Sequence, residues 1–486
     1  MTTMAPTGKD SWQTEFYKNG YPKEVIVIED SPTPPRTPQQ ESQYSSTCTL
    51  KHTPLMNDTI LPPAASTRSK RAIREQEEQQ NTQVRWQKRR QQQQQQPLPS
   101  TPTFTPTTTK KRRKLSGPTT QGPTRNTNVS ARLAPNRAPP SSPIDDKDGH
   151  FIFKPNESLT QRYKMMRLLG QGTFGKVIEC YDRVKQCHCA IKVIRAIQKY
   201  RDASKIEIRV LNVLREHDPL NLNNCIHLVE WFDYENHICM VFELLGQSVF
   251  DFLKANHFQP FPLCQIQQIA KQLFTSIAFV HQLKLIHTDL KPENILLISN
   301  DAVSKNKQSD KPVLTLKSTK IRLIDFGSAT FDKEYHSSVV STRHYRAPEI
   351  ILGIGWSFPC DIWSIGCILV ELFTGDALFQ THDNLEHLAM MEAVLGKIPL
   401  TLARQSTRNG QKFYKDNRLQ YPTTETTRQS KKYVKALKPL QDIVPSSQSK
   451  GNAYLFDLLK KIFVYDPALR ITAREALHHP FFQCDV

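Results

Sequence analysis

Strand-length apolar runs give way to helix-spaced ones partway along this chain. Lys176-Val177-Ile178-Glu179 and Cys189-Ala190-Ile191-Lys192-Val193 flank a polar turn and read as neighbouring strands. Met240-Val241-Phe242-Glu243-Leu244-Leu245-Gly246 reads as a further strand leading into a connecting segment. Between them, Glu207, Val210, Leu211 and Leu214 fall at i, i+3, i+4 and i+7, so one helix face carries a carboxylate beside its packing residues. Ile362 to Phe373, opened by Asp361, is apolar almost all round and predicts a helix buried in a large lobe. A last helix is predicted where Asp383 can cap, Glu386 follows three residues on, Leu385, Leu388 and Leu395 repeat at helical spacing and Gly396 can stop it; its expected job is packing. The pattern describes two cores, one small and strand-rich, the other larger and helical, hence an α+β chain.

Composition divides the 486 residues differently. Residues 1–157 hold Ser31-Pro32-Thr33-Pro34-Pro35-Arg36-Thr37-Pro38, six consecutive glutamines from Gln91 to Gln96 and few apolar clusters, and are expected to be disordered. Residues 158–486 form the second part. The formal charge of +19 is shared, since residues 1–150 account for +9 of it. The densest basic run, Lys110 to Lys114, reads as a nuclear localisation signal for an import receptor, which predicts the nucleus with the cytoplasm as a second compartment. A merely solvated run or a weak RNA contact are the alternatives; no aromatic residues are interleaved for base stacking, and nucleic-acid binding is not required. Ser31, Thr33, Thr37, Thr53, Thr101, Thr105 and Ser142 each precede Pro and are candidates for proline-directed phosphorylation.

The ten cysteines form no CxxC pair, and Cys187-His188-Cys189 would alternate faces along a strand, a poor geometry for one metal, so reduced intracellular thiols are expected. No apolar run reaches membrane-spanning length and the N-terminus lacks signal-peptide order.

Candidate chemistry is concentrated in four places. Gly170-Gln171-Gly172-Thr173-Phe174-Gly175 can fold a strand-turn-strand backbone over phosphates, although a lone motif of this kind is also an ordinary glycine turn. Lys192 stands where a cation would meet the α- and β-phosphates, with Glu207 to hold it. The line from Leu285 to Leu296 spaces Asp289, Lys291 and Asn294 so that one carboxylate can orient a hydroxyl, one ammonium can neutralise a transferring phosphoryl group and one amide oxygen can hold a metal. Asp325-Phe326-Gly327 adds a second oxygen ligand, and such a donor set suits Mg2+. Ala347-Pro348-Glu349 follows, with Arg470 the expected buried partner of Glu349. Together these parts are the ones expected for phosphoryl transfer.

From about Tyr163 to Phe482 the chain resembles the eukaryotic protein kinase family, with all of its motifs in order. Glu386-His387-Leu388-Ala389-Met390-Met391-Glu392 resembles the signature of the LAMMER, or CLK, kinases of the CMGC group, as do Asp325 to Thr330 and Ser341 to Glu349; Ala393 departs from it where the family continues with Arg. The resemblance implies a bilobal fold, with lobes at about 163–245 and 246–482. It also implies nucleotide contacts from Val177, Ala190 and the backbone of Glu243 and Leu245, and a bulky Phe242 behind them. A monomeric ATP- and Mg-dependent Ser/Thr kinase follows, able to act on Tyr, with Arg/Ser-rich splicing factors as substrates and Glu293 as an acceptor for a substrate Arg. Ser299 to Lys320 reads as a surface hairpin or loop, and Asn409 to Ser449 matches the insertion that CMGC kinases carry. An SR-protein kinase, a pseudokinase scaffold and an RNA-binding protein are the competing readings. Thr288 stands where many kinases place an Arg that gathers an activation-segment phosphate, which predicts activity without upstream phosphorylation.

Overall fold

A computed structural model describes residues 144–305 and 313–485. The strand-rich part is one antiparallel sheet of five strands in the order β1-β2-β3-β5-β4: β1 (Tyr163–Gly172), β2 (Gly175–Asp182), β3 (Cys187–Ile194), β4 (Glu230–Tyr234) and β5 (His237–Glu243). Ile178, Cys180, Ile191, Val193 and Val241 are buried on one face with Tyr163 and Met165 and make the small core. Beside the sheet lies α1 (Gln198–His217), whose buried face carries Ile208, Val210, Leu211 and Leu214 together with Glu207, as its spacing predicts.

The helical part begins with α2 (Val249–Ala255), capped by the Ser248 hydroxyl accepting from Asp251 N–H, and α3 (Leu263–Gln282). Short strands β6 (Leu285–Ile286) and β7 (Ile295–Leu297) bracket the candidate catalytic line, each pairing with a later strand, β11 (Thr330–Phe331) and β10 (Ile321–Leu323). The polar insertion holds a hairpin, β8 (Ala302–Lys305) with β9 (Val313–Leu316). After α4 (Pro348–Leu352) comes α5 (Pro359–Thr374), buried on every side from Cys360 to Leu372. A Cβ on Gly366 would stand 2.5 Å from Ile462 Cγ2, so only glycine lets the last long helix pack so closely against α5.

The signature helix is α6 (Asn384–Leu395), capped by Asp383. From the following insertion, α7 (Arg428–Ala436) packs against it, and α8 (Lys450–Ile462) supplies the contact to Gly366.

The sequence boundary at 157 lies too late. Residues 144–157 are part of the folded unit: Phe151 is buried in the sheet's core and Asp145 forms a bridge with Phe151. Lys110 to Lys114 lies outside the described residues.

Candidate active site

The site is held from below by Asp361. Its buried carboxylate accepts the backbone N–H groups of His287 (2.8 Å) and Thr288 (2.9 Å), and His281 Nε2 lies 2.9 Å away. Thr288 has φ +67°, a strained conformation for a β-branched residue, and its hydroxyl donates to Ser328 O at 2.9 Å. Those bonds fix the turn from which the next residue, Asp289, projects. Read from sequence only as the opener of a helix, Asp361 is thus the anchor of the catalytic loop.

Asp289 is oriented by several donors. Its Oδ1 accepts Thr342 Oγ1 at 2.6 Å and Thr342 N–H at 3.0 Å, while Oδ2 accepts Lys291 Nζ at 2.7 Å. Lys291 also reaches Thr342 Oγ1 at 3.1 Å, and Asn294 Nδ2 donates to Asp289 O at 2.9 Å. Burial works to raise the Asp289 pKa, but Lys291 and Thr342 outweigh it and hold the carboxyl below its ordinary value. Thr342 is a functional residue the sequence reading missed. Its partner lies 53 residues away, and no local pattern announces the pair.

Above this floor, Lys192 Nζ bonds both oxygens of Glu207, at 2.7 and 2.9 Å, and Asp325 Oδ1 at 3.3 Å. Burial opposes the ammonium's charge, yet the two carboxylates outweigh it and raise its pKa; Glu207 is itself pushed up by burial. Asp325, in contrast, is held below the usual carboxylate range, chiefly by Lys192.

A cavity of about 620 Å³ opens between the sheet and the helical lobe. Gly170, Gly172, Phe174, Gly175, Val177, Ala190, Lys192, Glu243 and Leu245 line it, with Phe242 and Glu293. Gly175 is required sterically, because a Cβ there would stand 2.0 Å from Val193 O. Gln171 and Thr173 belong to the same hairpin. Neither lines the cavity: Gln171 lies on the opposite face of the strand from its neighbours Gly170 and Gly172, and Thr173 turns its carbonyl to Arg195 at 3.2 Å. Leu169, Leu296 and Ile324 also line the cavity and were not foreseen.

The donor set fits Mg2+. With Asn294 Nδ2 spent on Asp289 O, its amide oxygen is left as a ligand, and the Asp325 carboxylate is kept ionised. Among the described residues no cluster of three or more His, Cys, Asp or Glu is placed to hold a metal, so protein ligands alone do not build a cage there.

Outside the centre, Glu349 and Arg470 pair as the sequence suggests, at 2.7 and 2.9 Å. Arg346 ties down the activation segment through Val340 O and Ser341 O, and Arg343 bonds Asn384 Oδ1 at the start of α6. Glu386 of the signature accepts the hydroxyls of Thr381 and of Ser430 on α7, so it fastens the insertion to the lobe. Arg209 on α1 grips both oxygens of Glu334 at 2.8 Å.

This combination of a glycine hairpin, a paired lysine and an anchored aspartate defines a class. The family model described as protein kinase domain matches residues 163–482, and the chain belongs to the protein kinase family. Dual specificity protein kinase lkh1 of Schizosaccharomyces pombe is 58% identical over 346 residues, which is 70% of this chain and 50% of that protein. The chain therefore spans about half of lkh1's length. Serine/threonine-protein kinase AFC2 of Arabidopsis thaliana is 48% identical over 72% of this chain and 83% of its own, and dual specificity protein kinase CLK2 of Homo sapiens is 47% identical over 70% and 67%. A crystal structure of a kinase domain superposes with a TM-score of 0.64 at 36% identity, covering 69% of this chain and all of that one. Within the family this is a kinase of the LAMMER, or CLK, type.

Proposed function

We propose that this kinase transfers the γ-phosphoryl group of ATP, with Mg2+, to Ser, Thr and Tyr hydroxyls of Arg/Ser-rich proteins such as splicing factors. One observation carries the reading: Asp289 already accepts a hydroxyl, that of Thr342, at 2.6 Å with Lys291 alongside, which is the contact a substrate Ser or Thr needs. Lys192, fixed by Glu207, binds the α- and β-phosphates. Lys291 offsets the charge that gathers on the transferring group, and Asp289 orients the attacking oxygen and takes up its proton. Mg2+, held by Asn294 and Asp325, would draw charge from the phosphate oxygens. Glu293, at the cavity wall, offers a carboxylate to a substrate guanidinium.

The test is turnover by purified full-length protein on an Arg/Ser-rich peptide, with products mapped by mass spectrometry. ATP binding without transfer to any hydroxyl would favour a pseudokinase scaffold instead. Phosphotyrosine among the products decides dual specificity. The basic run Lys110 to Lys114 supports a nuclear location, and replacing it with Ala should move the protein towards the cytoplasm; unchanged nuclear accumulation would dismiss it.

A further inference from the structure

Residues 144–152 precede the matched kinase domain, which begins at Tyr163. Their sequence is polar and looks like the end of the tail, yet every bond they make is directed. The Asp146 carboxylate closes a turn by accepting Asp148 N–H (3.0 Å) and His150 N–H (2.8 Å), and Gly149 takes φ +73° within it. Gly149 O accepts Ala196 N–H at 2.9 Å. The ring of His237, fully buried, lies 2.6 Å from Asp145 Oδ1 and 2.7 Å from Ile194 O. Phe151 sits edge-on against that ring, 5.5 Å between centroids.

Two cations connect this segment to the glycine-rich hairpin. Arg195 donates from Nε to Asp148 O at 2.8 Å, and from Nη1 to Thr173 O at 3.2 Å; its backbone N–H reaches Phe174 O at 2.9 Å. Thr173 and Phe174 are the tip of the hairpin, so both tip carbonyls are held by one residue whose guanidinium is itself held by the segment. Lys176, the first residue after Gly175, is buried and donates to Phe151 O at 2.8 Å, with the Asp146 carboxylate 3.8 Å away. A buried ammonium is costly without partners, and here the segment supplies them. The hairpin needs such bracing, because three glycines in six residues leave its backbone loosely determined.

We propose that residues 144–152 form a strap that positions the glycine-rich loop over the nucleotide, with Arg195 and Lys176 as positioning residues, so that the catalytic unit starts at 144. The proposal rests on the ATP reading above. In full-length protein, Asp146→Ala loosens the strap without touching the cavity, and Arg195→Met removes the bridge. Each should raise KM for ATP about tenfold, the effect of one charge-assisted hydrogen bond, and leave KM for the peptide unchanged. Amide hydrogen exchange across residues 170–177 should quicken in both variants while β3 and β5 stay protected, and Arg195→Lys should recover part of the loss. A fall in kcat with both KM values unchanged would mean a smaller folded fraction and overturn the strap. So would wild-type exchange at 170–177 in both variants. A wild type that turns over no ATP would remove the functional reading, while the exchange measurement still decides the strap.

Discussion

Two ion pairs of the same chemistry hold this kinase together, one in each lobe, and they are built to opposite ends. Arg470 and Glu349 are fully buried and fully spent: the guanidinium meets both carboxylate oxygens, donates to Pro359 O and Val464 O, and lies 5.1 Å from the Trp363 ring centre. Lys192 keeps 18% of its side chain exposed and shares its ammonium between Glu207 and Asp325, which belong to different elements. Arg suits the first position because its planar fork fills a fixed set of acceptors. Lys suits the second because a compact charge on a flexible stem can exchange a carboxylate for phosphates. An ion pair that only holds a fold can be saturated, whereas one that works on a substrate must be left with something to trade.

The widest gap between the two should appear in activity. Lys192→Met and Asp289→Asn should each stay folded and lose about a thousandfold or more in kcat/KM, about 4 kcal/mol of barrier, measured by steady-state rates alongside a thermal melt. Near wild-type turnover in either would end the proposed mechanism. Arg470→Met should do the reverse: it strands the buried Glu349 carboxylate, lowers stability by about 3–5 kcal/mol in denaturant titration and leaves KM for ATP where it was. Adding Glu349→Met to it should restore much of that stability, and a double variant no better than the single would contradict a pairing effect.

Smaller effects sharpen the picture within the helical lobe. Thr342→Ala takes a hydroxyl from Asp289 and should cost about tenfold in kcat, with Thr342→Ser close to wild type; equal rates for Ala and Ser would make the contact incidental. The least change is expected from phosphatase treatment. With Ser337, Ser338, Ser341, Thr342 and Tyr345 shown bare by mass spectrometry, initial rates should shift only a few fold, less than about 1.4 kcal/mol. A hundredfold loss that an upstream kinase restores would reverse that expectation.

What was legible in the sequence shares a physical cause. The Lys192–Glu207 pair could be placed because Glu207 repeats on a helix face with Val210, Leu211 and Leu214, and periodicity is a local property. The buried helix α5 was plain because an unbroken apolar run is likewise a local property. Thr342, Asp361 and the strap were missed because their roles depend on partners far along the chain: Thr342 on Asp289, Asp361 on the N–H groups of His287 and Thr288, Asp145 on His237. Asp145, Asp146, Lys147, Asp148 and Gly149 have the composition of a solvated tail, and only tertiary contacts convert it into structure. Gln171 and Thr173 were assigned by motif membership, and neither lines the cavity.

Arg209 on α1 is held by Glu334, an acid encoded in the chain, and Thr288 stands where many kinases place the arginine that gathers a phosphate. A phosphate can be written and erased; a glutamate is set at translation and no phosphatase can remove it. If the dephosphorylated enzyme keeps its rate, it leaves the ribosome already licensed to work. A cell that wants less of its output must then change how much of the protein it keeps, where it keeps it, or which substrates it can reach.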